Sequence, residues 1–193
     1  AGLWARFSVV NTYKDIYISS NEEAFTTTPQ NGIVFGEPAT PSAYGVYAST
    51  ISGPIVEGVS GSGIILQTSA NNVFLAGTSE LNATGLELGS GANYNHFTRM
   101  DLEGNSVADA TVAGNYNTFE TMLANSTNKA FHITGGTLNQ IKGGLFNAIT
   151  IDAGASNTMV ESLRYGFNSG TLTDSGARTT KINVSDGSST YNS

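Results

Sequence analysis

Apolar positions along this chain keep step with asparagine. A phrase Asn-x-apolar recurs as Asn72-Val73-Phe74, Asn95-His96-Phe97, Asn117-Thr118-Phe119, Asn139-Gln140-Ile141 and Asn157-Thr158-Met159, at spacings of 23, 22, 22 and 18 residues. Ahead of these anchors lie apolar pairs at i and i+2: Ile64/Leu66, Leu86/Leu88, the weaker and shifted Ala110/Val112, Phe131/Ile133 and Ile149/Ile151. A period of two places both members of a pair on one side of a strand. A repeat near 22 residues indicates stacked coils that each contact only their neighbours. The pattern predicts an all-β parallel β-helix, with two or three short strands per coil. Turns such as Gly89-Ser90-Gly91 and Gly135-Gly136 separate the strands, because Gly and Asn reach positive φ at low cost.

Successive coils stack about 4.8 Å apart. Phe74, Phe97, Phe119, Ile141 and Met159 are then expected to form an inward column. Asn72, Asn95, Asn117, Asn139 and Asn157 are expected to form a structural ladder at a corner, each amide bonding to the coils beside it. The pairs Val46/Ala48, Ile33/Phe35 and Ile16/Ile18 extend the pattern upstream, and Thr180-Lys181-Ile182 reads as a last degenerate copy. This gives about eight or nine coils, roughly 40 Å of rod. Residues 1–60 read as irregular coils with loops at 26–30 and 37–42, residues 61–184 as the regular helix, and residues 185–193 as a polar tail that frays.

Composition narrows the classes. Charged residues make up 12%, yet nine Phe and eight Tyr argue for an ordered chain. A net charge of −7 with eight scattered Lys and Arg disfavours nucleic acid as a partner. No run is apolar enough to insert into a membrane as a helix. The absence of cysteine removes disulfides and thiolate chemistry. No cofactor or metal is expected, since His96 and His132 share no offset from the anchors. The chain starts at Ala1 in strand-rich sequence, which suggests a processed product or a piece of a longer protein.

Two columns could carry chemistry. Glu80 and Glu103 both fall eight residues after an anchor, and Asn125 and Asn147 continue that offset. Stacked carboxylates raise one another's pKa, and Asp101 lies two residues from Glu103. The trio Asp101, Glu103 and Glu80 is therefore the candidate catalytic set for cleaving glycosidic bonds, provided no corner separates Asp101 from Glu103. Glu120 and Lys142 are expected on the surface, where they could pair across coils. Tyr94 and Tyr116 each precede an anchor by one residue and should stack. With Tyr165 they would either lie along a sugar chain or be covered by a neighbouring subunit.

The stretch Asn95-His96-Phe97 through Leu102-Glu103-Gly104-Asn105 resembles coils of right-handed parallel β-helices of the pectate-lyase-like superfamily, with phage tailspikes and tail appendages nearest in character. The resemblance covers residues 60–184 well and the first 60 weakly. It implies a homotrimer of side-by-side helices, placed in a virion tail or otherwise extracellular, that binds and often cleaves a bacterial surface polysaccharide. It carries over no catalytic motif. Three functions follow: a phage tail spike or fibre segment for host attachment, a polysaccharide-degrading enzyme on the same fold, and a fragment of a bacterial adhesin passenger.

Overall fold

The computed structural model describes residues 2–5, 8–19, 30–36, 45–126, 131–165, 171–185 and 190–191. Among these residues there is no helix, and all strand pairs but one are parallel. The chain winds as a β-solenoid with a spacing near 23 residues and about five regular turns, fewer than the repeat suggests. Each turn has three straight segments that meet at three bends.

The first face stacks eight strands: Leu3–Ala5, Ile33–Phe35, Ser62–Leu66, Thr84–Leu88, Ala108–Val112, Phe131–Ile133, Ala148–Ile151 and Thr171–Asp174. Its register aligns Ile64, Leu86, Ala110, Phe131 and Ile149, all fully buried. The second face carries the anchor strands. Tyr13, Ile51, Phe74, Phe97, Phe119, Ile141 and Val160 line up there. The third face runs through Tyr17–Ser19, Ile55–Glu57, Thr78–Glu80, residues 101–103 and 123–125, and residues 145–147.

Aromatic rings fill the centre. Phe74, Phe97 and Phe119 stack at centroid distances of 4.8 and 5.4 Å, and Phe131 meets Phe119 edge-on at 4.9 Å. Such pairs add about 0.5–1.5 kcal/mol each beyond their area burial.

The bends follow left-handed residues. One column is Ala48, Asn71, Tyr94, Tyr116, Leu138, Asn157 and Arg178, all with φ between 48° and 58°. A second comprises Asp15, Gly53, Ala76, Arg99, Thr121, Gly143, Ser162 and Asn183. Gly58, Leu81 and Gly104 make the third. For Asn72, Asn95, Asn117 and Asn139 the left-handed residue is the one just before: Asn71, Tyr94, Tyr116 and Leu138.

Asn72, Asn95, Asn117 and Asn139 are buried and stacked. In the first three, the backbone N–H donates to the Oδ1 of the next asparagine at 3.0–3.1 Å. Each Nδ2 reaches back to a backbone carbonyl: Val46, Ser69, Ala92 and Gly114. Close approach at this corner requires glycine. A β-carbon on Gly114 would collide with the Ala92 carbonyl oxygen, and one on Gly136 with that of Gly114.

Four expectations need correction. Asn157 is not a rung: Met159 pairs with Gln140, so Thr158 stands beneath Asn139 and Asn157 occupies the left-handed bend. Met159 accordingly yields the inward column to Val160. Ala48 lies in the first bend, and Ile18 on the third face, so neither upstream pair continues the first face. Finally, Thr190–Tyr191 in the presumed tail pairs antiparallel with Val184–Ser185. Of the two projecting loops, residues 26–29 and 37–42 lie outside the described residues.

Candidate functional site: the third face

Alternation on the third face turns Ile18, Val56, Ser79, Leu102 and Ala124 inward and leaves two outward columns. In register, one column reads Tyr17, Ile55, Thr78, Asp101, Leu123 and Leu145. The other reads Ser19, Glu57, Glu80, Glu103, Asn125 and Asn147. Asp101 and Glu103 flank the fully buried Leu102, and the next left-handed residue is Gly104. No corner separates the two, so Asp101, Glu103 and Glu80 share one surface.

Glu57 joins them, in direct register with Glu80. It sits eight residues after Ser49, whose backbone N–H donates to Asn72 Oδ1 at 3.0 Å. Ser49 thus precedes Asn72 in the anchor column. The offset that marks Glu80 and Glu103 would also have found Glu57, had a serine been recognised in the anchor position.

The carboxyls are not equivalent. Burial, then the charges of Asp101, Glu57 and Glu103, pushes Glu80 above its ordinary value. Burial, followed by the charge of Glu103, pushes Asp101 up as well. Asp101 Oδ1 is buried without a hydrogen-bond partner. Glu103, by contrast, accepts a 2.6 Å hydrogen bond from Asn125 Nδ2. Glu80 and Asp101, both inclined to hold a proton, therefore share a surface with a third carboxyl, Glu103. Neighbouring carboxyls are the groups that acid–base cleavage of an acetal uses. Among the described residues, no group of three or more metal-ligating side chains is arranged to hold an ion.

Behind this face lies a second, buried amide ladder that the sequence reading missed. Val59 N–H donates to Asn82 Oδ1 at 2.9 Å, Asn82 N–H to Asn105 Oδ1 at 3.0 Å, and Asn105 N–H to Ser126 Oγ at 3.0 Å. The signal was present, since Asn82 and Asn105 each lie ten residues after an anchor. Serine is too short to repeat the asparagine pattern, and the fully buried Asp109 fills the gap. Its carboxylate accepts from Asn105 Nδ2 at 3.0 Å, from Ser126 N–H at 2.8 Å and from the Ser126 hydroxyl. Burial raises the Asp109 pKa, and these hydrogen bonds only partly offset it.

The tyrosines occupy the first bend, across the coil from the third face. Tyr94 and Tyr116 are 55% and 40% exposed, and their rings stack at 4.6 Å with 6° between planes. Leu138 continues the ridge, 43% exposed. Each tyrosine ring covers a face of the other, so the pair offers mainly edges, hydroxyls and its two outer faces. Tyr165 pairs with Phe146 on the third face, and its side chain lies outside the described residues. Structure does not bring it near Tyr94 or Tyr116.

Glu120 and Lys142 are register neighbours, but the Glu120 carboxylate lies 3.1 Å from His96 Nε2. His132 Nε2 lies 2.9 Å from Asp152. Comparison with protein families, with curated proteins and with solved structures finds no significant match to this chain.

Proposed function

We propose that this chain is a segment of a phage tail spike or fibre, of the pectate-lyase-like right-handed β-helix type, that attaches to a bacterial surface polysaccharide through its third face. The observation that carries this reading is the order of side chains along that face. Tyr17 and Ile55 stand at one end, the four carboxyls in the middle, and Leu123 and Leu145 with Asn125 and Asn147 at the other. Apolar surface for the C–H faces of sugars alternates with acceptors and amides for their hydroxyls, all on a rigid strand platform. In this reading three copies associate along the Tyr94–Tyr116–Leu138 ridge. The ridge suits that contact because its rings are already stacked on each other, and it leaves the opposite face open.

Binding of purified capsular and O-antigen polysaccharides tests the attachment. Tyr17→Ala should weaken binding by about two- to tenfold, the loss of one stacking contact. Binding unchanged by Tyr17→Ala and Glu103→Gln together would remove the third face from recognition. Light scattering should give a mass near three times the 20.1 kDa chain. Leu138→Asp should reduce that mass, and a monomeric wild type would end the trimer reading.

A second reading, a depolymerase, draws on Asp101 or Glu80 as proton donor, with Glu103 as the carboxyl beside it. In a retaining mechanism the two carboxyls lie about 5–5.5 Å apart, close to the spacing of stacked coils. Glu103→Gln should then abolish release of reducing ends while binding persists. Turnover that survives this substitution would exclude Glu103 from the chemistry.

A further inference from the structure

The slot behind the third face is filled in two ways. Gly63, Gly85 and Asp109 share one register position on the first face. A β-carbon on Gly63 would collide with the Asn82 amide, and one on Gly85 with the Asn105 amide. Those coils fill the slot with an asparagine rung and admit only glycine beside it. The next rung, Ser126, is shorter, and there the first face supplies a carboxylate. Val59, Asn82 and Asn105 each donate a backbone N–H to the rung of the next coil. Ser126 has no rung ahead of it, because Asn147 runs directly into the first-face strand at Ala148. Its buried N–H donates instead to Asp109 Oδ2 at 2.8 Å. Asp109 Oδ1 takes Asn105 Nδ2 at 3.0 Å and the Ser126 hydroxyl. One carboxylate thus bridges two neighbouring coils, at Asn105 in one and at Ser126 in the next.

The same two coils are joined on the outside. Glu103 lies two residues before Asn105, and Asn125 one residue before Ser126. The Asn125 amide donates to Glu103 at 2.6 Å on the exposed side of the wall. Water competes for such a bond, so its geometry depends on the backbone beneath it. We propose that Asp109 is a positioning residue for the third face: its bridge from behind fixes where the Glu103 carboxyl and the Asn125 amide stand, side by side, for the hydroxyls of a sugar. This rests on the third face being the attachment surface. Polar groups that recognise a ligand are held in place by a buried second layer of hydrogen bonds, and here that layer is Asn105, Asp109 and Ser126.

Two substitutions separate the bridge from its charge. Asp109→Ala leaves the Ser126 N–H buried without an acceptor, and the segment after Asn125 must shift to find one. Asp109→Asn keeps the bridge. Its oxygen still takes the Ser126 N–H, its amide donates to Ser126 Oγ, and Asn105 Nδ2 retains the Ser79 carbonyl at 3.1 Å. Burial already pushes the Asp109 pKa up, so a neutral side chain of the same shape suits the slot.

The Asn125 side-chain amide, followed in nitrogen–proton correlation spectra of the protein without ligand, reads the position directly. Asp109→Ala should move this resonance toward that of a solvated amide. It should also weaken binding of purified capsular and O-antigen polysaccharides by about two- to tenfold, the worth of one hydrogen bond. Asp109→Asn should keep the wild-type resonance and bind within about twofold of wild type. If the alanine variant does not fold, Ser126→Ala takes its place: it cuts the hydroxyl link, keeps the N–H, and should move the same resonance by less. The proposal is overturned if the resonance stays in place in the alanine variant that folds, or if Asp109→Asn moves it as far. It is overturned as well if Asp109→Ala binds like wild type while Tyr17→Ala binds more weakly. A wild type that binds none of the polysaccharides ends the attachment reading, and the Asn125 resonance still decides whether Asp109 holds the face in position.

Discussion

The same corner is built in two ways along this rod. From Asn72 to Asn139 every coil supplies a buried amide that bonds the next, and the rungs are 22 or 23 residues apart. One coil later the rung is Thr158, whose buried Oγ1 has no hydrogen-bond partner. The coil between Asn139 and Thr158 is short, and the shortening falls at the third bend. Three or four residues separate the third face from the first in earlier coils, as between Glu103 and Ala108, whereas Asn147 runs directly into Ala148. A solenoid can therefore shorten a bend without losing register on its faces. What it loses is the polar ladder, and in the following coil the register partners of the buried Ile151 and Val160 are Asp174 and Lys181, which pair at 2.9 Å.

The largest effect should come from removing a ring in the well-built half. Phe119 stacks on Phe97 and meets Phe131 edge-on. Phe119→Ala should cost about 3–5 kcal/mol. Urea denaturation followed by far-UV circular dichroism would measure it. A loss under about 1 kcal/mol would mean that the neighbouring coils collapse into the gap.

Next in size is Asn117→Ala. It removes the acceptor for the Asn95 backbone and side-chain donors, and the donor to Ala92. Burying these groups unpaired should cost about 2–4 kcal/mol. Asn157→Ala, at the half-buried bend where only a 3.3 Å bond to Thr137 Oγ1 is lost, should cost less, about 1 kcal/mol. Equal losses at the two asparagines would erase the distinction between rung and bend.

That distinction marks the limit of what the sequence made legible. The phrase Asn-x-apolar located four rungs and failed at the fifth, because Asn157-x-Met159 satisfies it while the true rung, Thr158 with Val160, lacks the asparagine. A slip of one residue reverses every side chain in a strand, so Met159 and Val160 exchange faces. Stacking of Tyr94 on Tyr116 was readable, since both precede rungs that are correctly placed. The carboxyl column was readable only where an asparagine anchor fixed its offset, which is why Glu57 after Ser49 escaped. Asp109 had no signal: its buried role exists because Ser126 is shorter than the asparagines before it. Geometry within a coil follows from pattern, but compensation for a break in the pattern does not.

A smaller effect should separate the acidic face from the Asp174–Lys181 ion pair. Glu80 and Asp101 are pushed up, so their ionisation opposes folding. A raised carboxyl pKa costs nothing below the ordinary value and costs stability once pH exceeds the folded one. Glu80→Gln/Asp101→Asn should therefore stabilise the rod at pH 7, by less than about 1 kcal/mol given the solvent exposure of both groups. The gain should vanish below about pH 4. Burial works against the Asp174 anion, but hydrogen bonds from Lys181, Thr179 and Gly176 outweigh it and hold its pKa down. Asp174→Asn should behave in the opposite sense, destabilising at pH 7 and neutral in strong acid. Melting curves of both variants across this range would show whether the acids of the third face and Asp174 differ in sign.

The smallest change is the most direct repair. Thr158→Asn places a carboxamide directly beneath Asn139, where the ladder stops. Its Oδ1 would lie toward the Asn139 backbone, and its Nδ2 would reach back toward the preceding coil, as at Asn117 and Asn139. One added buried hydrogen bond is worth about 0.5–1.5 kcal/mol. The gain should appear as slower amide exchange in residues 148–161, with the coils before Asn117 unaffected, because contacts in a solenoid reach only the neighbouring coil. A loss of stability would show that the bend around Ala155 and Ser156 is too tight for the longer side chain. Threonine would then be there for its size, and the end of the ladder would be a consequence of the shortened coil rather than a defect beside it.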